Sequence, residues 1–336
     1  MQRTFVVMRK VKLTKGALAY VALFSVVLIW SLSPIVSNLK LVKSNYSPGM
    51  IIALRSFFAT LALAVINGKK LKTINKAYFK VAIPSGIILA SATLCQMVGY
   101  RYEAAPGESA FLENISVIVI PILLFLFTRK VPSFTKILAA ILCFIGSAII
   151  ALAGSSGNLL SVSLGKWLAC IAGVMYGVNI VVTSLYTKKL DAGVFVFIQL
   201  AIQSVAAFGY SFIGEKLLMA DDKVFAFTFE IGPLATVALL GIIATGICWT
   251  LRTHCLQNIP VMIVSVIMPF SAVLTGVWSV ILGMEQLTWN LLVGGGIILA
   301  AILIAEIFNA KEKKQKQQES NAETLKEPLA ENNLEN

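Results

Sequence analysis

Long apolar stretches follow one another along most of this chain, and only a few charges interrupt them. A helix needs about 20 mostly apolar residues, at a rise of about 1.5 Å each, to cross a bilayer. Ten stretches meet this requirement: 16–36, 48–66, 78–100, 107–127, 134–153, 165–186, 193–213, 233–253, 260–282 and 289–308. The sequence therefore predicts an all-α integral membrane protein with ten transmembrane helices, numbered here as spans 1 to 10.

The composition agrees with a lipid environment. The chain is 58% hydrophobic and 13% charged, whereas soluble domains carry about 25% charged residues. A soluble fold of this size needs a charged surface, and too little charge is available to build one. The lipid bilayer is therefore the first partner that we expect.

The net charge of +12 follows the pattern of membrane topology. Most Lys and Arg residues fall in one set of connections, at 3–15, 69–80, 129–136, 188–189, Arg252 and the tail after 310. The opposite set holds only Lys40, Lys43, Arg101, Lys166, Lys216 and Lys223. Because basic flanks stay in the cytoplasm, we expect both termini to be cytoplasmic in a multi-pass plasma membrane protein. Basic clusters between apolar runs do not form a nucleic-acid surface, so no nucleic-acid partner is expected.

The chain divides into four parts. A basic cytoplasmic segment, 1–15, precedes a five-span repeat at 16–153 and a second at 165–308, and a polar tail at 309–336 is predicted to be disordered. The halves share a pattern, because Ser47-Pro48-Gly49 and Asp191-Ala192-Gly193 follow their first spans as short turns. Five is an odd number, so the repeats must be inverted, as in many secondary transporters. Chance similarity among apolar segments is the alternative.

Two charges stand out inside predicted spans, Arg55 in span 2 and Glu113 in span 4. A charge at the centre of a span costs about 2.5–3.5 kcal/mol, so both residues are candidates for function. By residue count both lie about 10 Å below the outer boundary, and this depth permits an ion pair. Such a pair either fixes helix packing or binds a polar substrate.

Other polar residues are candidates for a substrate cavity. Counting along the spans predicts an outer group and an inner group, listed here in that order: Trp30, Arg55, Gln96, Glu113 and Asn114; Asn179, Gln199, Gln203 and Trp249. Interhelical hydrogen bonding is the alternative for each amide. Pro34, beside Trp30, is the candidate for a gating kink, with a static bend as its alternative.

Enzyme chemistry has no support in the sequence. His254 is the sole histidine, the five cysteines form no Cys-x-x-Cys pair, and no phosphate-binding Gly-rich loop is present. We therefore expect no catalytic residues, no metal and no cofactor. The Gly294-Gly295-Gly296 run suits close helix packing, and we expect a homodimer through spans 5 and 10. The longest connection, 214–232, is polar and contains Glu215.

Three short motifs carry a resemblance to a known family. These are Ile29-Trp30-Ser31-Leu32-Ser33-Pro34, Ser109-Ala110-Phe111-Leu112 and Gly283-Met284-Glu285-Gln286-Leu287. The region 16–308 resembles the EamA-type transporters of the drug/metabolite transporter superfamily, although Ser31 replaces the usual Gly and Met284 is an extra residue. The resemblance implies ten helices, two inverted five-helix repeats, a central cavity and movement of small metabolites, often outward.

The expected function is secondary transport of a small metabolite, amino-acid-like or drug-like, across the plasma membrane by alternating access. Spans 1–4 and 6–9 would line the path, with spans 5 and 10 peripheral because they carry few polar residues. The alternatives are a channel-like pore and a non-transporting sensor or assembly protein. A sensor would need a substantial soluble domain, which the sequence does not contain.

Overall fold

The computed structural model describes residues 15–37, 46–101, 112–154, 164–215, 230–283 and 286–331. Their main helices are α1 Lys15–Ser37, α2 Pro48–Asn67, α3 Lys76–Arg101, α4 Ile115–Thr128, α5 Phe134–Gly154, α6 Leu164–Tyr186, α7 Ala192–Gly209, α8 Ile231–Asn258, α9 Val261–Ile281 and α10 Trp289–Glu331. A 3-10 turn, Lys70–Thr73, precedes α3. Two π-helical segments occur, Tyr210–Gly214 after α7 and Gly241–Ile247 within α8.

Nine of these helices are long and apolar enough to cross a membrane. The remaining apolar helix, α4, has 14 residues, and residues 107–111, which the sequence places at its start, lie outside the described residues. The basic segment 1–14, the motif residues 109–111 and the pair Met284-Glu285 also lie outside them. The nine long helices agree closely with the predicted spans, since nearly all of their starting residues differ by no more than two positions.

The two turns that mark the repeats begin equivalent helices. Ser47 caps α2, where its side chain accepts a hydrogen bond from the Met50 N–H, and Pro48 occupies the first turn. Asp191 caps α7 by accepting hydrogen bonds from the N–H groups of Gly193 and Val194. A side-chain cap satisfies backbone donors that the first turn of a helix leaves free, so both turns fix where their helices start.

Equivalent helices of the two repeats run antiparallel. Along α2 and α7, Gly49, Ala53 and Asn67 contact Glu215, Ser204 and Gly193, in that order. Along α5 and α10, Lys136, Gly146 and Ile149 contact Glu312, Gly294 and Asn290. Each series ascends in one helix and descends in the other. The second repeat is therefore inverted relative to the first.

Helix packing follows the same two-fold rule. The contact of α2 with α8 is mirrored by that of α7 with α3, and the contacts of α1 with α8 and α9 are mirrored by those of α6 with α3 and α4. Exchanging the repeats thus leaves these contacts unchanged. Helices α5 and α10 pack on each other and on α4 and α9, so they flank the bundle.

The outer surface of the bundle is apolar. Large side chains such as Leu18, Phe24, Trp167, Val205 and Leu303 are exposed. Soluble proteins rarely expose so much contiguous apolar area, whereas lipid tails solvate it. The polar side chains instead lie mainly between helices, and this inside-out distribution determines where a site can form.

The tail differs from its prediction. Helix α10 continues through Glu331, where composition predicted disorder. Residues 310–331 are rich in Ala, Lys, Gln and Glu, which are strong helix formers. They also extend an existing helix, so they need no costly nucleation step of their own. The salt bridge from Lys136 to Glu312 holds the first turn of this extension against the start of α5.

Candidate functional site

A buried amide pair joins three helices near the centre of the bundle. The Asn179 Nδ2 atom in α6 donates to the Ser85 carbonyl oxygen in α3 at 3.1 Å and to its Oγ at 3.0 Å. The Gln199 Nε2 atom in α7 donates to the same Oγ at 2.8 Å. All three residues are fully buried. The structure thus brings two predicted site residues, one from each of two helices in the second repeat, onto a helix of the first.

Arg252 completes this group and corrects the prediction. The sequence placed it in a cytoplasmic connection, but α8 continues to Asn258 and the side chain is only 2% exposed. Its Nη1 atom donates to Asn179 Oδ1 at 3.5 Å, and its guanidinium lies 4.4 Å from the centroid of the Trp249 ring. Ser85, Asn179, Gln199, Trp249 and Arg252 are called the Arg252 cluster below.

Trp30 and Trp249 meet where α1 crosses α8. Their ring centroids are 5.6 Å apart with an interplanar angle of 54°, although the sequence assigned them to opposite halves of the membrane. The Trp30 Nε1 atom donates to the Ala244 carbonyl oxygen at 2.7 Å. Ala244 lies in the π-helical segment, and such segments are frequent at functional sites.

Arg55 binds the same π-helical segment. Its Nε donates to Thr245 Oγ1 at 3.3 Å, and its Nη2 donates to Ser33 Oγ at 3.4 Å. A Cβ atom added to Gly241 would lie 2.6 Å from the Arg55 carbonyl oxygen, so α2 packs against α8 backbone to backbone. Arg55 therefore links α1, α2 and α8, and its ion pair with Glu113 stays a prediction.

Glu113 lies in a second group, the Glu113 cluster, formed with Gln96 and Tyr176. The Gln96 Nε2 atom donates to Glu113 Oε2 at 2.6 Å, and the Tyr176 hydroxyl donates to Gln96 Oε1 at 2.8 Å. Tyr176 interacts electrostatically with Glu113, Arg55 and Arg252. Tyr176 therefore lies within electrostatic range of both clusters. The sequence did not predict it as a site residue, because an uncharged tyrosine is common in apolar spans.

The two remaining amides make interhelical bonds. Asn114 Nδ2 donates to Ser147 Oγ of α5 at 3.0 Å, and Gln203 Nε2 donates to Thr93 Oγ1 of α3 at 3.0 Å. Asn114 thus points toward a flanking helix. Pro34 falls within α1, three residues before its end at Ser37, and its gating role stays a prediction.

Several buried polar atoms of α6, α7 and α8 have no hydrogen-bond partner among the residues that the structure describes. They are Gln199 Oε1, Gln203 Oε1, Thr183 Oγ1, Arg252 Nε and Thr253 Oγ1. Buried polar groups in native proteins are nearly always satisfied. Two of these atoms, Gln199 Oε1 and Arg252 Nε, belong to the Arg252 cluster, where they are available to a polar ligand or water.

The described side chains include no group of three His, Cys, Asp or Glu that could hold a metal ion. The chemistry available is hydrogen bonding by amides and hydroxyls, a guanidinium over an aromatic ring, and one carboxylate in the Glu113 cluster. These groups can bind and orient a small polar molecule between the two repeats.

A cavity of about 520 Å³ lies apart from these clusters, where α4, α6 and α8 end and α5 and α9 begin. Lys130, Lys136 and Lys188 are among its lining residues. They belong to the basic connections that the sequence assigned to the cytoplasm, so the cavity opens at that end of the bundle.

Comparison with known proteins agrees with the two repeats. The model of the EamA-like transporter family matches twice, at residues 17–152 and 163–306. A solved crystal structure of a protein, one of 29 matching chains, has a TM-score of 0.70 and 15% sequence identity, and the match covers 87% of this chain and 98% of that one. At this identity the likeness shows the fold alone. No curated protein matches the sequence.

Proposed function

Since this multi-pass membrane protein belongs to the EamA-like transporter family, we propose that it is a secondary transporter that moves a small metabolite by alternating access. The observation that carries the proposal is the Arg252 cluster, a buried polar group to which both repeats contribute. Inverted repeats with polar groups at their interface are a recurrent design of transporters, in which one repeat rocks against the other.

In this proposal all ten apolar helices cross the plasma membrane and both termini are cytoplasmic. The apolar helix α4, with the preceding residues 107–111, supplies the tenth crossing. Cysteines introduced singly at Gln317 and Lys69 would be labelled by an impermeant thiol reagent only after the membrane is opened. Labelling of either one in intact cells would contradict the topology.

Helices α1–α4 and α6–α9 line the proposed path, with α5 and α10 peripheral. The outward face of α10, which includes the exposed Gly296, is our proposed surface for a homodimer. Cysteine at Gly296 should then form a disulfide-linked dimer on mild oxidation, while cysteine at Leu18, an exposed position on α1, should not.

The test of transport is counterflow in liposomes that contain the purified protein. Vesicles loaded with a pool of amino acids and other small metabolites should accumulate a labelled member of that pool with saturable kinetics. Trp249→Ala should reduce this exchange at least tenfold, because Trp249 lies in the cluster. Trp167→Ala is the matched control, since Trp167 is exposed on the outer surface.

The same assay separates a carrier from a pore. A carrier exchanges faster when substrate is present on the far side, because the loaded protein reorients. A channel-like pore gives flux that rises linearly with concentration and does not respond to substrate on the far side. Linear flux, or no flux for any compound of the pool, would contradict the proposal.

A further inference from the structure

We propose that Arg252 is the binding site for an oxyanion of the transported substrate, a carboxylate or a phosphate. This inference rests on the proposed transport function and assigns a chemical class to its substrate. The observation behind it is a deeply buried guanidinium, 2% exposed, that has no acidic partner among the residues that the structure describes.

A buried charge of this kind needs compensation. The contacts of Arg252 in the described chain are one hydrogen bond to Asn179 at 3.5 Å and the face of the Trp249 ring at 4.4 Å. Neither carries a full negative charge. Burying a cation without a paired anion is strongly unfavourable, and a bound counter-ion can offset this penalty. A structural role alone therefore leaves the burial of this side chain unexplained.

The free edge of the guanidinium has the geometry that an oxyanion needs. The hydrogen bond to Asn179 is made by Nη1, whereas Nε is buried without a partner. This leaves the Nε–Nη2 edge, whose two parallel N–H groups match two oxygens of a carboxylate or phosphate. The Trp249 ring lies 4.4 Å from the guanidinium carbon and restricts the movement of the guanidinium on that side.

The charge around Tyr176 favours an anion as well. Tyr176 interacts electrostatically with two cations, Arg55 and Arg252, and with one carboxylate, Glu113. An anion at Arg252 would balance this set. Asn179 bonds both Arg252 and Ser85, and Gln199, which also bonds Ser85, keeps its Oε1 atom available for the uncharged part of a polar substrate.

The experiment is a set of thermal melts of the purified full-length protein in detergent. The probes are short monocarboxylates and sugar phosphates, each with its neutral counterpart, the primary amide or the free sugar. A ligand that binds only the folded state raises the melting temperature. We expect one oxyanion class to raise it by at least about 2 °C, and which class does so separates carboxylate from phosphate.

The variants place the effect at Arg252. Arg252→Gln should abolish the rise in melting temperature. Arg252→Lys keeps the positive charge but cannot make two parallel hydrogen bonds, so it should weaken the apparent affinity at least about tenfold. Lys189→Gln, which removes an exposed charge at the end of α6, should keep the full shift. Equal stabilisation of wild type and Arg252→Gln, or no stabilisation of wild type by any oxyanion, would overturn the proposal.

Stability without ligand separates a binding role from a structural one. Because Arg252→Gln removes an uncompensated charge, we expect its ligand-free melting temperature to equal or exceed that of wild type. A fall of several degrees that Arg252→Lys restores would show that Arg252 is structural.

The proposed function can fail separately from this inference. Saturable counterflow of neutral compounds only, unaffected by Arg252→Gln, would keep transport and reject the oxyanion site. Oxyanion binding at Arg252 without any flux would keep the site and reject transport.

Discussion

Gly146 and Gly294 meet backbone to backbone at the crossing of α5 and α10. A Cβ atom added to Gly146 would lie 2.7 Å from the Gly294 carbonyl oxygen, and one added to Gly294 would lie 2.5 Å from the Gly146 carbonyl oxygen. Because each glycine packs against the carbonyl group of the other, the two-fold axis that relates the repeats passes between these two residues. Gly294 therefore packs against α5 of the same chain and not against a second copy.

Alanine at either glycine should separate the two helices. Gly294→Ala forces its new methyl group against a backbone oxygen, and we expect a loss of about 1–3 kcal/mol in stability, as for other overpacked sites. Gly296→Ala is the control, because nothing lies within 4 Å of its added Cβ and alanine favours the helix. Equal melting temperatures for the two variants would show that the contact between Gly146 and Gly294 does not stabilise the protein.

The helices and their caps could be predicted because they depend on local sequence. Apolar length predicts a span, and Ser47 and Asp191 begin α2 and α7 through side chains that lie next to the backbone groups they cap. Among the predicted site residues, Asn179, Gln199 and Gln203 are buried, since a polar side chain in an apolar span must find partners between helices.

Relations between helices could not be read from residue counts. Trp30 and Trp249 seemed distant because depth was counted along straight helices, whereas a π-helical segment changes the register of α8 just before Trp249. Arg252 was taken for a flanking charge because the predicted span ended at Thr253, five residues before the helix does. The tail was predicted from composition alone, which ignores the helix that it extends.

Tyr176 should matter for activity more than for folding. Tyr176→Phe removes the donor to Gln96 Oε1 while keeping the ring, and a hydrogen bond of this kind contributes about 1 kcal/mol. We expect counterflow to fall about fivefold with little change in melting temperature. Tyr186→Phe, at the exposed end of α6, is the control. Equal activity of the two variants would remove Tyr176 from the path.

Glu113 is the carboxylate of the Glu113 cluster and so the group there that can carry a proton. If transport is driven by a proton gradient, Glu113→Gln should abolish uptake driven by pH and keep exchange at equal pH, since an amide cannot change its charge. The measurement compares both fluxes in the same vesicles. Uptake that still follows the pH gradient in this variant would assign the proton to another group.

Lys70 and Asp191 form an ion pair between two connections, with 2.8 Å between Nζ and Oδ2. Partial burial acts to raise the pKa of Asp191, but hydrogen bonds from Lys70 and from the N–H groups of Val194 and Gly193 outweigh it and lower the pKa. The hydrogen bond and charge of Asp191 raise the pKa of Lys70. Both charged forms are therefore stabilised in the folded protein.

The pH dependence of this pair follows from the directions of the two pKa shifts. The contribution of Asp191 is present above its unfolded pKa and is lost as pH falls through its lowered folded pKa. That of Lys70 is present below its unfolded pKa and is lost as pH rises through its raised folded pKa. Asp191→Asn, which keeps the cap, should cost about 0.2–1 kcal/mol near pH 7, and this cost should disappear as pH falls through the lowered folded pKa of Asp191. Lys72→Gln is the control; a cost that persists in acid would contradict the assignment.

Glu215, which the sequence placed in the longest polar connection, is fully buried against the start of α2. Its Oε1 accepts from the Gly49 N–H at 2.7 Å, and its Oε2 accepts from the hydroxyls of Ser47 and Ser211. Glu215→Ala leaves these donors unpaired, so we expect a loss of about 1–3 kcal/mol in thermal melts. Glu215→Gln keeps one acceptor but not the charge that favours a helix N-terminus, so its loss should be smaller. Glu230→Ala, exposed before α8, is the control; if it destabilised the protein as much, Glu215 would have no special role at this helix end.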